Sequence, residues 1–347
     1  RVRVYEKRRV GGGASGGLVG ALAPHTPDNW NEKKRLQFES LIRARSYWPE
    51  VDALSGLASG YGNTGRLVAI PDQRALELAR ARENSATEIW CGLADWRVVA
   101  CGRFSGWEPP SRTGYLVHET LSARMSPLGA TQSLARALEV IGGEIVIGAT
   151  TGRGADATVL ATGYEGLLEL SAELGRPVGK GVKGQALLLA CDRRDQPQLF
   201  ADGVHVIAHA DGTVAIGSTS EIDWKVGSQT DKQLDDLHAR AVELVPALAG
   251  ARVLARRAGV RPRGNRRAPI IGAHPGRDRV FIANGGFRIG FGVAIRAAEL
   301  LADLILTGSA SFVQAGILPR SFKARRQTRA ADLDEKSMRL ALRSRQR

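Results

Sequence analysis

Apolar and polar residues change their spacing sharply between positions 280 and 306. Residues 280–283 form a short apolar run, which predicts a buried strand. Glycine-rich sequence follows over 284–292. Apolar residues then recur at helical spacing, at Ile295, Ala298, Leu301, Leu304 and Ile305. The stretch predicts a strand, a glycine turn and a helix. Because glycine lets a backbone approach a ligand closely and a helix start offers free N–H groups, we treat it as a candidate binding site.

The remaining pattern predicts a mixture of helices and short strands. Helical spacing or composition covers 29–48, 74–87, 128–141 and 230–248. Strand-like apolar runs cover 64–70, 112–119, 144–147, 157–161, 185–190, 205–208 and 213–216. Asp211 and Gly212 separate the last two runs, and an Asp-Gly pair between strands predicts a hairpin.

Length and composition are those of a soluble globular protein with two domains. The chain has 347 residues, of which 43% are hydrophobic and 24% charged. No apolar run approaches the length that spans a bilayer. Cys91, Cys101 and Cys191 have neither metal-ligand spacing nor the pattern of a disulfide framework, so no metal site is expected. Free thiols predict a reducing compartment, and hence a cytoplasmic location.

Positive charge is concentrated near the C-terminal end. The formal net charge is +14, and residues 320–347 carry half of it, with ten Lys and Arg against three acidic residues. Such a segment can contact nucleic acid or an anionic surface, or it can be a solvated terminal helix or disordered end. We favour the solvated end, so nucleic acid is not an expected partner.

Three separated stretches together resemble one family. The first joins Val4, Tyr5 and Glu6 to residues 13–17, and the second is 159–163. The third joins 258–262 and 269–272 to the glycine turn at 284–292. In order and spacing they are similar to the FAD-dependent oxidoreductases of the D-amino-acid oxidase and glycine oxidase type, across nearly the whole chain.

This resemblance implies an α/β fold with two domains. An FAD-binding Rossmann-like domain of the glutathione-reductase type would comprise 1–55, 126–178 and 256–310. An α+β substrate domain built on a mostly antiparallel sheet would comprise 56–125 and 179–255. Residues 311–347 would be a basic C-terminal tail.

The same resemblance implies which residues contact FAD. Glu6 would accept hydrogen bonds from the ribose hydroxyls at the end of the second strand, with Lys7 beside it. Small residues after it would let the main chain lie against the pyrophosphate and the flavin ring. The helix starting near Gly290 would direct its positive end at the flavin pyrimidine. The remaining cofactor-binding candidates are Gly13, Ala14, Ser15, Gly16, Ala21, Leu22, Ala161, Thr162, Gly163, Gly286, Phe287, Arg288, Ile289, Gly290 and Phe291.

A formal G-x-G-x-x-G match at 11–16 is not interpreted as the dinucleotide fingerprint. That fingerprint needs a buried strand before it and a long apolar helix after it. Here the preceding strand is heavily charged, and Pro24 shortens the segment that follows. We therefore expect the first strand, its fingerprint and its helix to lie upstream of Arg1.

Arg261 and Arg288 are the catalytic candidates that the resemblance implies. Arg261, followed by Pro262, would bind the substrate carboxylate, and a guanidinium suits this task because its planar fork can donate two parallel hydrogen bonds. Arg288 would face the flavin from the glycine turn. Two positions depart from the family: its usual Asp before 269–272 is absent from 266–268, and its frequent turn His is Gly286.

The implied reaction is oxidation of the C–N bond of a small amino acid of the D-amino-acid, glycine or N-methylglycine type. A hydride would pass to the flavin, the imine would hydrolyse to a 2-oxo acid, and oxygen or a respiratory acceptor would take the electrons. Two alternatives stay open: the flavin module of a tRNA wobble-uridine modification enzyme, and a non-catalytic fragment unable to hold FAD. His118 beside Glu119 is interpreted as a structural pair.

Overall fold

The computed structural model describes residues 1–309 except 105, 151, 153 and 267, so the tail predicted at 311–347 lies outside the described residues. The helices are α1 (Glu32–Ser55), α2 (Gln73–Trp90), α3 (Pro127–Val140), α4 (Gly163–Glu173), α5 (Lys232–Leu244) and α6 (Gly290–Thr307). The strands are β1 (Arg3–Glu6), β2 (Ala21–Leu22), β3 (Arg66–Ala69), β4 (Trp96–Ala100), β5 (Tyr115–Glu119), β6 (Ala123–Arg124), β7 (Glu144–Ile147), β8 (Thr158–Leu160), β9 (Gly179–Ala190), β10 (Gln198–Ala201), β11 (Val204–Ala208), β12 (Thr213–Gly217), β13 (Val253–Gly264), β14 (Ile270–Ala273) and β15 (Val280–Asn284).

Most of these helices begin with a capping side chain. A side-chain oxygen accepts a hydrogen bond from the first turn of α1, α2, α3 and α5, and the capping residues are Asn31, Asp72, Ser126 and Asp231. The helix predicted at 29–48 is longer than expected, because α1 continues through Pro49 to Ser55. Trp48 and Val51 are buried on either side of this proline, and their packing stabilises the extra turns.

A large sheet of eight strands forms one part of the molecule. Its strand order is β13-β9-β12-β11-β10-β3-β5-β4, and every neighbouring pair is antiparallel except β10 with β3. The mostly antiparallel sheet is thus confirmed. The Asp-Gly hairpin is confirmed as well, since β11 pairs with β12 and Gly212 has a φ of +82°. The side chains of one sheet face pack with α5 in an apolar core.

Two smaller sheets form the α/β part. β1 pairs with β7 in parallel, and β8 pairs in parallel with β15, which also pairs with β14. Within the described residues, one edge of β1 and one edge of β8 have no strand partner. The upstream strand stays a prediction.

The long strand β13 crosses the predicted domain boundary at position 256. Residues 256–264 pair with β9, so they belong to the large sheet. The turn from β13 to β14 then leads back to the α/β part. Helix α6 packs on α1 there, with Leu300 and Leu301 of α6 and Leu36 of α1 buried in a separate small core. The domain limits themselves stay a proposal.

No helix in the described part of the chain combines the length and the apolar character needed to cross a bilayer.

The His118–Glu119 pair is divided between the two faces of β5. Glu119 has 0% exposure, and its carboxylate accepts hydrogen bonds from the backbone N–H groups of Leu121 and Ser122, both at 2.9 Å. Its Oε1 also lies 3.0 Å from Nε of Arg66, in ion-pair range, although the N–H is not aligned for a hydrogen bond. His118 instead packs its ring against Phe104. These contacts support a structural role for Glu119.

Replacing Glu119 with alanine should therefore destabilise the fold. Arg66 would remain buried without its counter-ion, and breaking a buried pair on one side costs about 3–5 kcal/mol. Urea unfolding measures the loss. Glu169→Ala on α4 is the matched control, because Glu169 is exposed and its loss should change stability by no more than about 0.5 kcal/mol. Equal losses in the two variants would show that the buried pair contributes nothing.

Candidate functional site

The glycine turn after β15 is held by the side chain of Asn284. Its Oδ1 accepts a hydrogen bond from Gly285 N at 2.7 Å, and its Nδ2 donates to Gly163 O at 2.9 Å. Gly285 has a φ of +74°, which side chains with a Cβ rarely adopt. One asparagine therefore joins the turn before α6 to the start of α4.

The turn is also attached to β13 by its backbone. Phe287 N donates to Pro262 O at 2.9 Å, and Gly286 forms an isolated bridge with Arg263. A Cβ at Gly286 would lie 2.8 Å from the Cα of Gly290, so the turn admits no side chain there. This close approach is the physical reason for glycine at a position where the family frequently has histidine.

The helices that follow the two predicted cofactor motifs, α4 and α6, are the ones that lack a side-chain cap. Gly163 and Gly290 begin them, and the space that a Cβ would occupy at either glycine is open. Uncapped first-turn N–H groups together with the positive end of the helix dipole suit an anionic ligand. These helix starts fit the phosphate or ring oxygens of a flavin dinucleotide.

The loop at 11–17 forms a compact turn and not the start of a helix. Residues Ala14–Gly16 make a single 3₁₀ turn, which confirms that the formal G-x-G-x-x-G match does not open a dinucleotide helix. Arg257 of β13 donates to Gly13 O at 3.1 Å and thereby holds this loop against the large sheet. The sequence did not single out Arg257.

The predicted residues at the end of β1 lie near the start of α4. Lys7 and Arg8 approach the carboxylate of Glu165 to 3.6 and 3.0 Å. Glu6 accepts a hydrogen bond from Arg8 N at 2.9 Å. Ala21 and Leu22 form β2, and Leu22 is buried in the apolar core with 1% exposure. Leu22 can therefore contribute only its backbone to a ligand.

Arg261 is fixed by hydrogen bonds to the protein itself. Its Nη1 donates to Ser218 Oγ at 2.7 Å, and its Nη2 donates to Thr219 O at 2.6 Å and Lys183 O at 3.2 Å. Its guanidinium lies over Gly184, where any side chain would overlap it. Burial and the nearby charge of Arg288 lower the pKa of Arg261 to about 10, while Glu221 opposes the shift. Arg261 stays charged at neutral pH.

The free guanidinium fork of the site belongs to Arg288 and not to Arg261. Either two-point pairing of a guanidinium with a carboxylate uses Nη2, and Nη2 of Arg261 already donates to two carbonyls. Arg288 is exposed, and its guanidinium has no hydrogen-bond or ion-pair partner among the described residues. Its Cζ lies 5.5 Å from the ring centroid of Phe287, and that of Arg261 lies 5.7 Å from the same centroid.

His205 is a further site residue that sequence reasoning missed. It lies directly opposite Gly217 in the β11–β12 register, and its ring packs against Phe200. Its Nδ1 is buried without a partner in the described structure. Burial, followed by the positive charges of Arg66, Arg288 and Arg261, lowers its pKa to about 3. In the sequence, His205 could have been recognised only as a histidine within an otherwise apolar strand.

Replacing His205 with phenylalanine should reduce the acid sensitivity of the fold. The pKa of His205 is about 3 in the folded chain against an ordinary value of 6.5. Between these pH values the imidazole is therefore protonated in the unfolded chain and neutral in the folded chain. Wild-type stability should fall as pH drops below 6.5, by at most about 1.4 kcal/mol per unit from this group. Urea unfolding between pH 7 and 4.5 should give a shallower slope for His205→Phe. His238→Phe on α5 is the control, and equal slopes in both variants would contradict the assignment.

Comparisons with known proteins give the family. The profile of the family described as "FAD dependent oxidoreductase" matches residues 1–304. A glycine oxidase of Pseudomonas aeruginosa is 36% identical over 172 residues, which are 47% of this chain and 46% of that protein, so the match spans about half of the relative's length. A glycine oxidase of Geobacillus kaustophilus is 26% identical over 343 residues, covering 88% of this chain and 86% of the relative. Its crystal structure superposes with a TM-score of 0.77 at 20% identity over 90% of each chain. The chain belongs to the family of FAD-dependent oxidoreductases that includes the glycine oxidases.

Proposed function

We propose that this protein oxidises the C–N bond of a small amino acid with FAD as its cofactor. The observation that carries the proposal is that two arginines lie close to the same residue of the glycine turn, Phe287. Arg261 is a fixed charge, and Arg288 is exposed with a free fork, at the point where α6 begins without a cap. A carboxylate placed there would meet both cations.

FAD would be held by elements from both parts of the molecule. The starts of α4 and α6 would donate N–H groups, and the loop at 13–16, fixed by Arg257, would lie against the cofactor. When bound, FAD supplies a two-electron acceptor for a hydride from the substrate α-carbon. Glu6 and Lys7 would contact the ribose end.

The side chains around the turn would orient the substrate. Arg288 would grip the carboxylate with its free fork, while Arg261 adds positive charge and keeps Ser218 and Thr219 in place. His205 stays neutral at physiological pH, so it adds no further charge beside the arginines. A substrate amine that arrives neutral needs no strong base, and the work of the site is then orientation and electrostatics.

The electron acceptor and the compartment belong to the same proposal. Oxygen or a respiratory carrier would reoxidise the cofactor. Three free cysteines, Cys91, Cys101 and Cys191, suit a reducing compartment such as the cytoplasm.

Replacing Arg288 with lysine should weaken recognition of the carboxylate. The charge remains but the fork is lost, and one charge-assisted hydrogen bond contributes about 1.5–3 kcal/mol. We expect kcat/KM for glycine to fall by about one to two orders of magnitude. Methylamine, which has no carboxylate, should be turned over equally by both proteins.

Arg261→Lys provides the contrasting variant. It removes the hydrogen bonds to Ser218, Thr219 and Lys183, so both substrates should lose activity. If Arg288→Lys also lowers both substrates equally, Arg288 does not bind the carboxylate.

Gly163→Ala tests the predicted cofactor contact at α4. Gly163 has a φ of +63° and begins the helix, whereas Gly175 has a φ of +61° just after its end; neither has an atom near the position of a Cβ. Both alanine variants should lose about 1 kcal/mol of stability through backbone strain. Only Gly163→Ala should weaken FAD binding, measured by flavin fluorescence during titration. Equal FAD affinity in the two variants would show that the start of α4 does not contact the cofactor.

A further inference from the structure

One positive pair at the site has no task in the proposed function. Residues 257, 259, 261 and 263 of β13 share one face of the sheet, because side chains alternate along a strand. Arg263 is the last of them, and its Cζ lies 5.6 Å from the ring centroid of Phe287. Lys180 of β9 is directly opposite Arg263 in the antiparallel register, so its side chain leaves the sheet on the same face.

This pair is electrostatically unfavourable by itself. Like charges directly opposite one another on an antiparallel sheet destabilise it. Neither the Arg263 guanidinium nor the Lys180 ammonium has a hydrogen-bond or ion-pair partner among the described residues, and Arg261 and Arg288 surround the same phenylalanine. Packing on Phe287 explains the position of Arg263. It does not explain why three arginines and Lys180 lie beside the glycine turn.

Two acidic residues of neighbouring segments already have other partners. Glu221 contacts Lys183 at 2.9 Å, and Glu165 contacts Arg8 at 3.0 Å. On the opposite face of β13, Arg256 pairs with Asp235 at 2.6 Å. Arg256 of β13 therefore has a counter-ion, whereas Arg263 has none within the described residues.

An anionic ligand could supply the counter-charge that this group of cations lacks. The Cζ atoms of Arg261, Arg263 and Arg288 each lie between 5.5 and 5.7 Å from one ring centroid, so they lie within about twice that distance of one another. A small molecule with two carboxylates a few bonds apart can contact Arg288 and Arg263 together.

We propose that Arg263 and Lys180 form a subsite for a second carboxylate, so that the substrate is a dicarboxylic amino acid. The inference rests on the proposed function, in which Arg288 and Arg261 receive the α-carboxylate. The second carboxylate then lies between Arg263 and Lys180, which are directly opposite each other in the sheet. Discrimination comes from charge, because a carboxamide of the same shape would leave both cations unpaired.

The first experiment compares D-aspartate with D-asparagine on the holoenzyme. The two differ in charge and hardly in shape. We expect kcat/KM to favour D-aspartate by at least about tenfold, the effect of one charge-assisted contact. Arg263→Gln and, independently, Lys180→Gln should each reduce this preference severalfold. Arg256→Gln is the matched control on the opposite face and should keep the wild-type preference.

The subsite is overturned if the wild-type ratio of kcat/KM for D-aspartate to that for D-asparagine is near one. It is also overturned if this ratio is unchanged in both Arg263→Gln and Lys180→Gln. An equal reduction in Arg256→Gln also overturns it, since the general positive field of the protein would then be responsible.

The second experiment separates failure of the subsite from failure of the proposed function. Succinate and succinamate are achiral, are not oxidised and differ by one carboxylate, and their Kd values are measured by calorimetry at constant ionic strength. Succinate should bind at least about tenfold more tightly to wild type and lose this advantage in Arg263→Gln. If no amino acid is oxidised but this pattern holds, the oxidase proposal fails and the dianion subsite stands. Equal Kd values for the two ligands in wild type reject the subsite, whatever the protein oxidises.

Discussion

The backbone contact between the glycine turn and β13 determines the geometry of the whole site. Phe287 N donates to Pro262 O, and Gly286 bridges Arg263, so the large sheet and the start of α6 are joined at one point. Three arginines of the site are positioned from this junction. Arg261 and Arg263 project from the strand, and Arg288 projects from the turn. Gly286 makes the junction tight, because even one carbon on its Cα would meet Gly290.

Arg261 illustrates how a residue can be essential to a site without offering its fork. Its partners are Ser218 and Thr219, which directly follow β12, and Lys183 within β9. The guanidinium fills the space over Gly184 and donates hydrogen bonds to two carbonyls, those of Thr219 and Lys183. Its positive charge still acts at the site, because burial weakens screening by solvent. In the proposed function, Arg288 binds the carboxylate and Arg261 supports the site.

Periodicity predicted much of the local structure but little of the side-chain chemistry. The strand, glycine turn and helix expected over 280–306 occur as β15, the 285–289 turn and α6, because each depends on residues close in sequence. The hydrogen bonds of Arg261 reach 42 and 78 positions along the chain, and no local pattern reports them. The same applies to His205, whose pKa is lowered by burial and then by the charges of arginines from three separate segments. The boundary predicted at 256 falls inside β13, because that strand continues the large sheet without a break in composition.

Because α4 and α6 begin without side-chain caps, FAD bound at these helix starts would increase the free energy of unfolding. A ligand that binds only the folded chain stabilises it by about 2.7 kcal/mol at a hundredfold excess over its Kd. In the proposed site, that energy would act at the first turns of these two helices, which have no side-chain cap. In a cell short of riboflavin, the chain would lose this stabilisation, and a larger unfolded fraction would be exposed to proteases. The abundance of the protein would then follow the supply of its vitamin.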